Sequence, residues 1–296
     1  MSLPPLVREA VEARLGSVIE LGPVGGGCIN PAVHIHAGDS ELFLKYGRRT
    51  PESFFATEAQ GLRQLRAATS RLRVPEVVAY ADADAESPYG WIVMEWLEPG
   101  RPGRDFAHRL AEGLCELHTP LEGGWGAEWN GYIGTLAQDN TPTESWSDFW
   151  QRRRLAPQLE LARRNGWVPG GDDGWERLFE RLPRLLAPAE VDGPSLLHGD
   201  LWGGNILATA SGEPAIVDPA PYRGHREVDL AMSELFGGPT RTFYEEYDRR
   251  RPLLPGYREH RRAIYQLYYL LVHVNLFGDA YVARTAASLN AVLAST

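Results

Sequence analysis

The chain is expected to be an α+β protein of two lobes: a small N-terminal lobe of β-sheet plus one helix over residues 1–97, and a larger, mainly helical lobe over residues 98–296. Three observations predict this division. Segments of β character are concentrated in the first third, where one helical stretch interrupts them. The run Glu95-Trp-Leu-Glu-Pro-Gly-Arg-Pro-Gly then places two prolines and two glycines after an apolar strand, as an interlobe hinge would. Beyond it helical periodicity dominates, broken by a single hairpin around residues 205–218. With 296 residues and 43% hydrophobic content, the chain can bury a substantial core.

In order, residues 1–12 have no hydrophobic signal core and form an amphipathic helix pattern, so nothing directs export. Strand-like segments follow at 17–24, 30–37 and 41–46, then a helix at 52–67 and strands at 74–80 and 89–96. Helices are expected at 106–118, 146–165, 175–186, 228–235, 240–250 and 256–277. The most apolar stretch, 265–278, is too short and too interrupted by His273 and Asn275 to span a membrane. A net charge of −9 disfavours nucleic acid and anionic membranes as partners, since both require a basic surface. The runs Arg152-Arg-Arg154 and Arg249-Arg-Arg251 sit among acids and are expected to be solvated, salt-bridged faces. Two cysteines cannot build a disulfide framework, which fits a reducing cytoplasm, and Cys115 falls on the apolar face of its helix.

The chemistry is concentrated in His198-Gly-Asp200-Leu-Trp202-Gly-Gly-Asn205 and Ile216-Val-Asp218-Pro219. Short apolar strands at 205–209 and 214–218, joined by Ala-Ser-Gly-Glu, would set Asn205 beside Asp218. Such a loop holds a carboxylate, Asp200, against an acceptor hydroxyl, while Asn205 and Asp218 share a metal ion. That is the polar set of a magnesium-dependent kinase. Singly, each residue has a plainer use, because Asp and Asp-Pro are common in turns.

Of 30 basic residues 29 are arginine, and the single lysine is Lys45, at the end of the strand-like Glu41-Leu-Phe-Leu-Lys45. A bias that spares one position marks a place where a compact ammonium is required, as against phosphate oxygens and a carboxylate together. Glu58 shares a helix face with Phe55, Ala59 and Leu62 and is its candidate partner. Gly25, Gly26 and Gly27, followed by Cys28, form a turn whose amides can approach phosphates, and the hinge backbone at Glu95, Trp96 and Leu97 can meet an adenine. There is no Walker-type P-loop. Cys28, next to the phosphates, is a redox candidate. Only a few residues separate Asp218 from Arg226-Glu-Val-Asp229, too few for the platform that holds a protein substrate, so a small-molecule acceptor is expected. Asp229 either caps its helix or braces the loop at 198–200 by accepting its amides.

The runs at 198–205 and 216–220, with Arg226-Glu-Val-Asp-Leu-Ala-Met-Ser-Glu-Leu-Phe-Gly-Gly238 and 265–278, closely resemble the fructosamine (ketosamine) kinase family over nearly the whole chain. That resemblance implies the aminoglycoside-phosphotransferase variant of the protein-kinase fold. It also implies ATP and Mg2+ as cofactors and phosphorylation of a ketosamine sugar, commonly at O3, which labilises the adduct and restores the amine. By the same resemblance Asp200 is the base, Asn205 and Asp218 hold magnesium, Lys45 with Glu58 positions phosphates, and Gly25 to Gly27 cover them. Trp202, His273 and Asn275 are candidates for the sugar pocket. Aminoglycoside- or choline-type phosphotransfer on the same fold is the alternative, with an inactive nucleotide-binding scaffold a third.

Overall fold

The computed structural model describes residues 3–25 and 30–295. Helix α1 (Pro5–Leu15) begins on a proline whose fixed φ suits a first helical turn. It precedes strands β1 (Val18–Val24), β2 (Ala32–Ala37) and β3 (Ser40–Arg48), helix α2 (Phe54–Ala68), and strands β4 (Val77–Ala81) and β5 (Tyr89–Glu95). The five strands form one antiparallel sheet in the order β1-β2-β3-β5-β4. Strand alternation decides what each face carries. Leu42, Leu44 and Tyr46 join Val7 and Val11 of α1 in one buried cluster. Lys45, between Leu44 and Tyr46, therefore points to the opposite face, where Phe43, Ile92 and Met94 pack in the cluster that includes α2.

Helix α2 has no side-chain cap of its own, and Ser53 before it sits in the left-handed region at φ 56°. Its orphan amides are met from a distance: Asp82, just beyond β4, accepts from the Phe55 N–H at 2.7 Å. That contact fixes the first turn of the helix carrying Glu58.

Past the hinge come α3 (Phe106–Leu117), a hairpin of β6 (Gly131–Ile133) and β7 (Leu136–Gln138), then α4 (Trp146–Phe149), α5 (Ala156–Arg164) and α6 (Asp172–Asp192). Short strands β8 (Ser195–Leu196), β9 (Ile206–Ala208), β10 (Pro214–Ile216) and β11 (Arg223–Gly224) pair as β8–β11 and β9–β10. Helices α7 (Glu227–Ser233), α8 (Arg241–Arg250), α9 (Arg262–Phe277) and α10 (Val282–Ser295) complete the chain. The helical part packs around Trp146, Trp150, Trp175, Tyr265 and Tyr269, all fully buried.

Several expectations need correction. The hairpin at 131–138 and helix α10 went unrecognised: three-residue strands give too little alternation, and Ala, Ser and Asn dilute the apolar stripe of α10. The helix expected over 146–165 is interrupted by a π-helical segment, Trp150–Leu155. Arg154 on it is not solvated but wholly buried, its guanidinium 4.0 Å from the Tyr222 ring centre and bonded to the Asp139 carbonyl and Asn140 Oδ1. Stacking and carbonyl acceptors take the place of water there. Arg153 does meet an acid, Asp139, at 2.7 Å, and Arg249 and Arg250 both bond Glu246. Among the described residues no helix is long and apolar enough to cross a membrane.

Candidate active site

Lys45 reaches across the cleft between sheet and helices. Its Nζ lies 2.6 Å from Glu58 Oε1 and 2.7 Å from Asp218 Oδ1, and the lysine side chain is 7% exposed. Lys45 and Asp218, 173 positions apart in sequence, thus meet in one ion pair. Burial pushes the Glu58 carboxyl up and the Lys45 ammonium opposes that shift. Asp218 is held at φ 53°, a left-handed conformation that non-glycine residues rarely adopt. It is fixed there by its neighbours: Val217 N–H donates to the Asn205 carbonyl at 3.1 Å and Ala220 N–H to the His198 carbonyl at 2.8 Å.

The loop 198–205 is braced from beneath. Asp229 accepts from His198 N–H at 2.7 Å and Gly199 N–H at 2.9 Å, while its helix takes no side-chain cap from it, so of its two sequence readings the bracing one describes its bonds. The fully buried His118 bonds Asp229 Oδ2 at 3.1 Å and the Tyr247 hydroxyl at 2.8 Å through its two ring nitrogens. Tyr269 on α9 donates to the Gly199 carbonyl at 2.7 Å. Gly199, at φ 82°, has to be glycine: a Cβ would stand 2.0 Å from the Ala220 carbonyl oxygen. His198 accepts at Nδ1 from the Asp200 N–H (3.2 Å), which assigns its proton to Nε2, 2.9 Å from the Val217 carbonyl. It ties the loop to β10 and offers no nitrogen to a substrate.

Asp200 lies at the end of this bracing. Burial, then the Asp218 carboxylate, push its carboxyl up to about 7, against a hydrogen bond from Asn205 that lowers it. Asn205 donates Nδ2 to the Asp200 carbonyl at 2.8 Å and to Asp200 Oδ2 at 3.2 Å, which leaves its side-chain oxygen for another partner. It sits in a short 3-10 turn, Gly203–Asn205, ahead of β9 rather than at the start of the strand.

Two cavities meet at Asp200. One, about 130 Å³, holds Lys45, Glu58, Asn205 and Asp218, with Trp129 and Tyr132 opposite. The other, about 340 Å³, is walled by Trp202, Phe236, Tyr269, His273, Phe277 and Tyr281. Ile133 and Gly134, at the tip of the β6–β7 hairpin, line both. That hairpin is strapped to α2: Tyr132 donates its hydroxyl to the Glu52 carbonyl at 2.8 Å and packs its ring 5.2 Å from Phe54. Neither Tyr132 nor Tyr269 was singled out by sequence, because a tyrosine in an apolar stripe carries no motif.

The structure brings Trp202 and His273 to the larger cavity. The indole of Trp202 lies over Gly204, where a Cβ would meet its ring at 2.4 Å. His273 Nδ1 is 2.8 Å from the Tyr269 carbonyl, so Nδ1 carries the proton and Nε2 is the acceptor; burial lowers its pKa and keeps it neutral. Asn275 does not join them. Its Nδ2 bonds the Gln158 carbonyl at 2.9 Å and Gln158 Oε1 at 2.8 Å, because two residues along a helix turn a side chain to another face. At the hinge, the Glu95 N–H is used inside the sheet on the Glu76 carbonyl, and its carboxylate pairs with Arg73 and Arg66. Trp96 stacks on His34 at 3.8 Å, and Leu97 follows it on the way to α3. Gly25 is exposed at the end of β1; Gly26, Gly27 and Cys28 lie outside the described residues.

The fructosamine kinase family model matches residues 7–295. A probable ketoamine kinase of Synechocystis is 38% identical, covering 91% of this chain and 89% of that protein. A chloroplastic protein-ribulosamine 3-kinase of Oryza sativa subsp. japonica is 37% identical over 91% of this chain and 78% of its own length. The crystal structure of a putative fructosamine-3-kinase from Thermobifida fusca superposes with a TM-score of 0.83 at 31% identity, covering 97% of this chain and 98% of that one. Aminoglycoside phosphotransferase APH(4)-Ia, seen in a ternary complex with ADP and hygromycin B, shares the fold at a TM-score of 0.61 and 17% identity, with 98% of each chain covered. With a match over nearly its full length and these relatives, the chain belongs to the fructosamine kinase family.

Proposed function

We propose that this chain transfers the γ-phosphate of ATP to the sugar part of a ketosamine, at O3, and so acts in deglycation of amines. The observation that carries the reading is the placement of Asp200 at the junction of two unlike cavities, one charged and one aromatic. The nucleotide would lie between a lobe of residues 1–97 and one of 98–296, its adenine at the hinge backbone of Trp96 and Leu97, with Glu95 supporting the hinge. Lys45, steadied by Glu58, would hold the α and β phosphates, under the turn at Gly25 to Gly27. The acceptor hydroxyl would stand at Asp200, whose elevated carboxyl is suited to take its proton as the bond to phosphorus forms.

The donor set also fits Mg2+. One carboxylate at Asp218 and one amide oxygen at Asn205 are what magnesium takes when phosphates and water supply its other ligands. Once bound, the ion would neutralise charge on the transferring phosphoryl group.

The acceptor side supports a ketosamine over a polycationic antibiotic. Asp200 is the single carboxylate among the residues lining the larger cavity, and the Arg284 guanidinium lies 5.3 Å from the Phe236 ring centre. Several ammonium groups would find one carboxylate to share there. Aromatic faces of Trp202 and Tyr269 and the acceptor Nε2 of His273 suit the C–H faces and hydroxyls of one sugar. An ADP-release panel tests this. Ribulosamines, fructosamines and erythrulosamines should be turned over and aminoglycosides and choline should not; the reverse pattern would overturn the reading.

A further inference from the structure

Resting on the ketosamine reading, we infer that the outer part of the aromatic cavity, Phe236, Phe277 and Tyr281, is a subsite for the amine carrier and selects ketosamines whose carrier presents apolar surface. The sugar and the carrier are joined at one carbon, so a sugar hydroxyl at Asp200 sends the carrier towards the cavity's far wall.

That wall is a continuous aromatic cluster. Phe236 stacks on His273 at 4.2 Å; Tyr281 lies 4.9 Å and Phe277 5.4 Å from the same imidazole. Phe277 and Tyr281 are 6.0 Å apart, either side of Gly278, which turns the chain at φ 76° between α9 and the following 3-10 turn. Phe236 and Tyr281 also pack against the core, but Phe277 does not, and it stands at the cavity 54% exposed. The rings present mainly apolar faces at this end, with the Tyr281 hydroxyl and the Arg284 guanidinium beside them, so it suits a flat apolar group better than a second sugar. The protonated secondary amine of a ketosamine would sit inward of the rings, within reach of His273 Nε2 and the Trp202 face.

The test is a series of ribulosamines made from methylamine, butylamine and benzylamine, titrated calorimetrically into the protein with AMP-PNP and magnesium, then assayed for turnover. Affinity should rise from methyl to benzyl by about two- to tenfold, the range of one added aromatic contact. In Phe277→Ala that gradient should flatten, the loss falling on KM for the benzyl adduct and not on kcat; Tyr281→Leu should do the same, with melting temperatures confirming the fold of both. A flat series in the unmodified protein, or a gradient that survives both substitutions, overturns the subsite. A gradient in affinity without turnover of any ribulosamine would support the subsite and count against the phosphorylation reading alone.

Discussion

Replacing Lys45 with arginine separates charge from shape at the centre of the site. The ammonium sits 2.6 and 2.7 Å from two carboxylates with its side chain 7% exposed, a space closed on both sides. A guanidinium keeps the charge but is planar and longer, so it cannot bring one nitrogen between Glu58 and Asp218 without displacing one of them. Overpacking of this kind costs about 1–3 kcal/mol. For a chain of this size that corresponds to a melting temperature lower by roughly 2–5 °C. Misplacing a charge aimed at the phosphates should lower kcat/KM by about 10²–10³. Lys45→Met should be worse for stability, by up to about 3–5 kcal/mol, since it strands the nearly buried Glu58 carboxylate and removes the partner of Asp218, whose side chain is 25% exposed. Steady-state ADP release with a ribulosamine, alongside thermal melts, reads both effects. If Lys45→Arg retained kcat/KM within about threefold of the unmodified protein, the reasoning that reads this lone lysine as a shape requirement would be wrong.

Other outcomes follow from the bracing and the pocket. Asp229→Asn keeps the size but removes one acceptor from under the loop, so it should cost about 1–3 kcal/mol and lower kcat more than it raises KM for ATP; a change confined to KM would contradict a positioning role. Asp200 has its carboxyl pushed up to about 7 in the folded chain, so its favourable contribution is present at low pH and is lost as pH rises through 7. In chelator and without nucleotide, Asp200→Asn should therefore gain melting temperature over the unmodified protein at pH 8, and the gain should shrink towards pH 5; a pH-independent difference would refute the shift. Gly204→Ala would drive a methyl into the Trp202 ring, so it should raise KM for the acceptor while leaving KM for ATP within about twofold; equal effects on both would place Trp202 outside the acceptor site.

Much of this arrangement was legible in the sequence because its chemistry is local. The spacing of Asp200, Asn205 and Asp218 is set by one loop and one hairpin, and the strand alternation around Lys45 fixes which face it occupies. Glu58 was reachable as a partner of Lys45 through helical periodicity, whereas Asp218 was assigned only to metal and is the lysine's second partner. What stayed hidden is held together by tertiary contacts. Asp82 caps a helix that begins before it, His118 and Tyr247 support Asp229 from separate helices, and Tyr132 joins a hairpin to α2. None of these pairs has a spacing rule. Asn275 was grouped with His273 by proximity in sequence, yet helical geometry sends it to Gln158. Arg154 was placed in solvent by its charged neighbours and is instead enclosed by aromatic rings.

The central claim is that a ketosamine hydroxyl is the acceptor and Asp200 the group that engages it. Phosphorus-detected NMR of the product formed from ATP and a free ribulosamine tests both at once when the unmodified protein and Asp200→Ala are run side by side. The account predicts a phosphate coupled to the proton on the sugar's third carbon from the unmodified protein, and no such product from Asp200→Ala although it still binds AMP-PNP. Phosphate on another position, or product formed by Asp200→Ala at a near-normal rate, would contradict it.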